Sequence, residues 1–171
     1  MKHFGMKKIW LVTAALAVLF AACGSDDDLP EPEPEQFVRF NASGMFSGTF
    51  EGAGGAEYEE DNEGKSLVLR FTDGNSFLLE FVKGPEDDFP EMPADGSFSL
   101  GGLGGDADFF VVLTDVAQGT AFLGNTDGAL VVSSSGGAFS EGTFEFTTSA
   151  LTNPDAATEV TAGVFRIAVP E

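Results

Sequence analysis

The groups able to do chemistry in this chain are nearly all carboxylates. Twenty-eight Asp and Glu residues face eight Lys and Arg, one histidine and one cysteine in 171 residues. Three acid clusters stand out: Glu59-Glu60-Asp61-Asn62-Glu63, Glu86-Asp87-Asp88 and Asp106-Ala107-Asp108. Oxygen-rich clusters suit a hard cation, so Asp87, Asp88, Asp106 and Asp108 are candidate Ca2+ ligands. None follows the EF-hand spacing, and solvated loops are the stronger reading of all three. A carboxylate pair is also the machinery of glycoside hydrolysis, but sequence cannot set two acids across one bond. The single thiol, Cys23, has no cysteine to pair with, so disulfides play no part.

What the chain lacks narrows the chemistry further. His3 and Trp10 both lie in the first 22 residues, so the remainder holds no histidine and no tryptophan. A Ser–His or Cys–His nucleophile and the usual zinc sites therefore lose their ligands there. No phosphate-binding loop or dinucleotide fingerprint occurs. The run Gly101-Gly102-Leu103-Gly104-Gly105 leads into acids rather than a lysine, which makes it a loop and not a phosphate cradle. No catalytic residue is assigned.

The surroundings of Cys23 carry the clearest message. Lys2, Lys7 and Lys8 precede an apolar run over 9–22, broken only by Thr13, and Ala21 and Ala22 lead into the cysteine. A basic start, an apolar stretch and small residues form a secretory signal. The run is too short for a spanning helix, which needs about 20 residues. Leu-Phe-Ala-Ala-Cys, residues 19–23, resembles the lipobox of bacterial lipoproteins, with Phe20 where the family prefers Leu. The resemblance implies cleavage before Cys23 and lipidation of its sulfur. Met6 is an alternative start that leaves this meaning unchanged. Several acyl chains, at about 0.8 kcal/mol per buried methylene, would hold the protein to a membrane stably.

Residues 23–36 then read as an acidic tether. Alternating Pro and Glu favour an extended chain that spans about 40 Å at about 3.1 Å per residue. Ser25-Asp26-Asp27-Asp28 is similar to the acidic export signal of some Gram-negative lipoproteins, which implies the outer membrane and the cell surface. Once residues 1–22 are removed, Arg39, Lys65, Arg70, Lys83 and Arg166 face 28 acids, a formal charge of −23. Such a charge disfavours nucleic acid and anionic headgroups and keeps the protein monomeric. Salt screens self-repulsion of this kind, so a saline or marine source fits, as does a generic acidic surface protein.

The elements that must position these groups are strands. Leu67, Leu69 and Phe71 alternate with other residues, as do Phe77, Leu79 and Phe81, with Asp73-Gly74 between the two runs. This predicts an antiparallel hairpin burying those six side chains. Further strands are expected at 37–41, 45–51, 97–100, 109–114, 119–123, 129–134, 139–147 and 158–168. Breakers lie at Gly84-Pro85, Gly101-Gly102, Gly136-Gly137 and Asn153-Pro154, with room for a helical turn near Phe109 or Asn153. The expected domain, 37–171, is all-β: an antiparallel sandwich or closed barrel, lipocalin-like or jelly-roll-like, following a cleaved signal helix and a disordered linker. Residues 139–147 and 163–167 resemble the tail of a family of uncharacterised lipoprotein β-domains, with the pattern G-T-F-x-F-T and then G-x-F-x-I. No activity comes with that resemblance. Together these features imply a lipid-anchored envelope protein with a binding or structural role, contacting an envelope protein or polysaccharide. An acid-pair carbohydrate hydrolase and a barrel holding a small apolar ligand are the alternatives.

Overall fold

The computed structural model describes residues 36–134 and 137–170. Cys23, the signal segment and the tether up to residue 35 lie outside the described residues. Ten strands form one sheet: β1 (Phe37–Gly44), β2 (Gly48–Glu60), β3 (Lys65–Thr72), β4 (Phe77–Glu86), β5 (Gly96–Gly101), β6 (Phe109–Asp115), β7 (Thr120–Phe122), β8 (Asp127–Ser134), β9 (Phe139–Ala150) and β10 (Asn153–Ala168). β10 pairs with both β9 and β1, so the order β1-β2-β3-β4-β6-β5-β8-β9-β10 closes on itself. Of the two expected architectures the barrel is the one formed. β7 bridges β6 and β9 at one end.

Two features depart from the sequence expectation. The sheet is mixed, because β5 and β6 are parallel. A parallel pair ordinarily needs a long crossover. Here only Leu100 and Gly101 overlap Phe109 and Phe110, so a short loop out and back suffices. Gly102 makes that loop fit: a Cβ there would run into the carbonyl oxygen of Gly124. The helical turns near Phe109 and Asn153 do not form. Phe109 opens β6 and Asn153 opens β10. Pro85 and Pro154 likewise lie inside β4 and β10 rather than breaking them.

The barrel interior is filled with phenylalanine. Phe40, Phe71, Phe77, Phe81, Phe144 and Phe165 are all at most 2% exposed. Their rings meet edge-on or tilted at centroid distances such as 5.0 Å for Phe40–Phe77 and 5.1 Å for Phe81–Phe144. Aromatic pairs of this geometry contribute roughly 0.5–1.5 kcal/mol beyond the area they bury. Rings this large fit only because glycines face them. Gly54 pairs with Phe71 and Gly128 with Phe146. In the C-terminal hairpin the exchange is reciprocal: Gly142 pairs with Phe165, and Gly163 with Phe144. The two halves of the sequence pattern at 139–147 and 163–167 are thus one cross-strand lock, each half supplying a glycine to the other's ring. A bulge precedes it, where Ala162 adopts φ 51°.

Loops close the ends. The β4–β5 connection buries Pro90 and Pro93, and Met92 packs on the core. Asp73 closes the β3–β4 hairpin: its Oδ1 accepts the backbone N–H groups of Asn75 at 2.9 Å, Ser76 at 2.7 Å and Phe77 at 3.3 Å. Slight burial opposes the charge, but these bonds and the Ser76 side chain outweigh it and push the carboxyl pKa down to about 2.

Candidate functional site

Outward-facing residues of β3, β4 and β6 fall into two rows. Val68, Val82 and Phe110 are direct cross-strand neighbours, as are Arg70, Glu80 and Val112 two residues along. Strand alternation puts every one of them on the outer face. Outer positions of a barrel in water are ordinarily polar, so four apolar side chains in adjacent register form an unusual patch. Val68 is only 2% exposed despite facing outward. Next to it, the guanidinium of Arg70 reaches to Glu57, the cross-strand neighbour of Val68 on β2, and to Glu59 beyond it.

Arg70 is the hub of the wall on that side. Its Nε donates to Glu80 at 2.6 Å, Nη2 to Glu59 at 2.8 Å and Nη1 to Glu57. Partial burial works against the charge, but the hydrogen bonds to Glu80 and Glu59 and the charges of Glu80 and Glu57 prevail and raise the guanidinium pKa. Arg70 is 38% exposed, so each ion pair adds at most about 1 kcal/mol. The opposite edge is Leu103, 64% exposed on the β5–β6 loop. Asp61 and Glu63 of the β2–β3 turn complete the lining of a groove of about 330 Å³. That turn is held by Asp61, whose Oδ1 accepts the N–H of Glu63 at 2.8 Å and of Gly64 at 3.2 Å.

Elsewhere on the surface, a depression of about 360 Å³ lies over the β10 bulge, lined by Val131, Val164 and Ala162 with Glu145 its lone charge. At the barrel rim Tyr58 and Phe89 stand 5.2 Å apart, 38% and 42% exposed, with Lys65 Nζ 5.1 Å from the Phe89 ring centre.

The acids singled out as cation ligands do not assemble. Asp87, Asp88 and Asp106 are exposed in loops. Asp108 instead fastens β6 to β5: its Oδ2 accepts both the amide and the hydroxyl of Ser99 at 2.7 Å, and its own N–H donates to that hydroxyl at 3.0 Å. The bonds from the Ser99 side chain and backbone hold its carboxyl below the usual carboxylate range. Among the described residues no three His, Cys, Asp or Glu side chains converge to hold a metal ion. The groove itself was not foreseen. Its sequence signals are the outward Val68-x-Arg70 and Glu80-x-Val82 in the predicted hairpin, apolar residues beside charges where polar ones were due, and the unbroken apolar run Phe109-Phe110-Val111-Val112-Leu113.

No family model, curated protein or solved structure matches the chain.

Proposed function

We propose that this chain is a lipid-anchored protein of the cell envelope, held to the outer membrane through Cys23 and exposed at the surface, and that its barrel is a binding module. The observation that carries the binding part is the outer groove: an apolar floor and a charged wall on the outside of a barrel whose inside is occupied by aromatic rings. That filling weighs against a small apolar ligand in the lumen. Among the described residues three carboxylates, Glu57, Glu59 and Glu80, converge on Arg70, which ion-pairs with all three. An acid that must donate a proton to a glycosidic oxygen is poorly served by such a partner. The lipidated cysteine and the acidic tether rest on residues 19–36 of the sequence.

The test is Cys23→Ala with cell fractionation and surface proteolysis. The native chain is expected in the outer-membrane fraction and cleaved by protease added to intact cells, and the variant is expected to leave that fraction. A variant that stays in the outer-membrane fraction would refute the anchor, and full protection of the native chain in intact cells would refute surface exposure.

A further inference from the structure

We propose that the groove over β3, β4 and β6 docks a basic, apolar peptide segment of a partner protein; this rests on the binding-module reading and names its ligand class. Three observations converge on that chemistry. The floor of Val82, Phe110 and Val112 is apolar, and Leu103 is held over its edge largely in water, an arrangement that favours an apolar occupant. The lining carries Glu59, Asp61, Glu63 and Glu80 against Arg70 alone; Arg70 engages Glu59 and Glu80, and Asp61 and Glu63 at the β2–β3 turn stand in no ion pair among the described residues. Arg70 is a poor partner for an anionic ligand, because three of its five N–H donors and its charge are already met by Glu57, Glu59 and Glu80. The complement is therefore a cation beside an apolar side chain.

The geometry sets the size and shape of the occupant. About 330 Å³ is at the small end of ligand sites, room for one large apolar side chain and its neighbours. In an extended peptide, residues i and i+2 face the same way. One residue can then rest on the valine and phenylalanine floor while a lysine two positions away reaches the acids of the β2–β3 turn. A second copy of this chain is a poor occupant. Arg39 and Arg166 are already held by Glu51 and Glu141, Lys65 lies against the Phe89 ring, Lys83 acts on Asp108, and like charge repels the copies. A neutral sugar would look for open ring faces, and the most exposed rings among the described residues, Tyr58 and Phe89, stand on the rim, while the groove offers only the half-buried Phe110.

The probe is a fluorescent Lys-Ser-Phe-Ser-Lys peptide, titrated by anisotropy against the full chain in non-ionic detergent. The expected results are binding that weakens as salt is raised, and about tenfold weaker binding when both lysines become glutamine. Glu59→Gln with Glu63→Gln is expected to weaken binding about fivefold, and Leu103→Ser about threefold; all three residues are exposed, so unchanged thermal melts verify the fold. Equal affinity for the neutral peptide, undiminished binding by the groove variants, or no binding at millimolar protein would overturn the proposal. So would cellopentaose competing the peptide away while binding more tightly. Membrane retention of Cys23→Ala concerns only the anchor, so failure here leaves that reading intact, and the converse holds.

Discussion

Gly163→Ala adds one methyl group to the C-terminal cross-strand lock, and its effect follows from the packing. The new Cβ would lie 2.5 Å from both Cε2 and the carbonyl oxygen of Phe144, with Cδ2 closer still. Carbon pairs are at ease at about 3.5–4.0 Å, so ring or strand must move by about 1 Å. The ring has nowhere to go: Phe144 is 2% exposed and meets Phe81 at 5.1 Å, Phe40 at 6.0 Å and Phe146 at 6.3 Å. Overpacking of a tight core costs about 1–3 kcal/mol, and the clash with the carbonyl puts this site near the top of that range. At about 4 °C per kcal/mol for a domain of this size, Tm should fall by about 10 °C. Gly55→Ala is the control. It makes the same chemical change in a strand, but its Cβ meets only Gln36 Oε1, at 3.9 Å. Restricting the unfolded chain should leave it neutral or about 0.5 kcal/mol more stable. Thermal melts by circular dichroism compare the two. Equal shifts in Tm would refute the glycine–phenylalanine lock.

The neighbouring bulge predicts the opposite sign. Ala162 at φ 51° bears the left-handed penalty of about 1–2 kcal/mol, partly offset in glycine by a freer unfolded chain, so Ala162→Gly should stabilise by about 0.5–1 kcal/mol in urea unfolding. A loss of stability would show that the bulge is not strained. Asp73 predicts a pH effect. Its folded pKa of about 2 lies below the unfolded value of about 3.9, so the stability it contributes is complete above pH 4 and is lost as pH falls towards 2. Asp73→Asn should remove that part of the acid sensitivity, and unfolding midpoints that fall in parallel for both proteins between pH 5 and 2 would contradict it.

The inner half of this molecule was readable because alternation is a two-residue code. Leu67, Leu69, Phe71, Phe77, Leu79 and Phe81 are buried as their spacing requires, each at most 1% exposed. The turn signal alone would have misled. A two-residue Asp73-Gly74 turn would set Leu69 opposite Leu78 and mix the faces. The pairing observed is Leu69 with Phe81, and Asp73 caps a longer loop to permit it. Face burial outweighed local turn preference. The second half of β2 was not readable, since Gly52-Ala53-Gly54-Gly55-Ala56 shows no alternation. Its inward positions are small because the rings of Phe71 and Phe77 occupy the space a Cβ would take. The groove was illegible for a related reason: its floor and walls come from β2, β3, β4, β6 and two loops, and the pairing of β4 with β6, which skips β5, is what sets Phe110 and Val112 beside Val82 and Glu80.

The measurement that bears most directly on the central claim is the intact mass of the N-terminal peptide from membrane-extracted protein. The expected species begins at Cys23 and carries the added mass of its acyl chains. A free thiol at that position, or a chain still bearing residues 1–22, would contradict the assignment of this barrel to a lipid anchor.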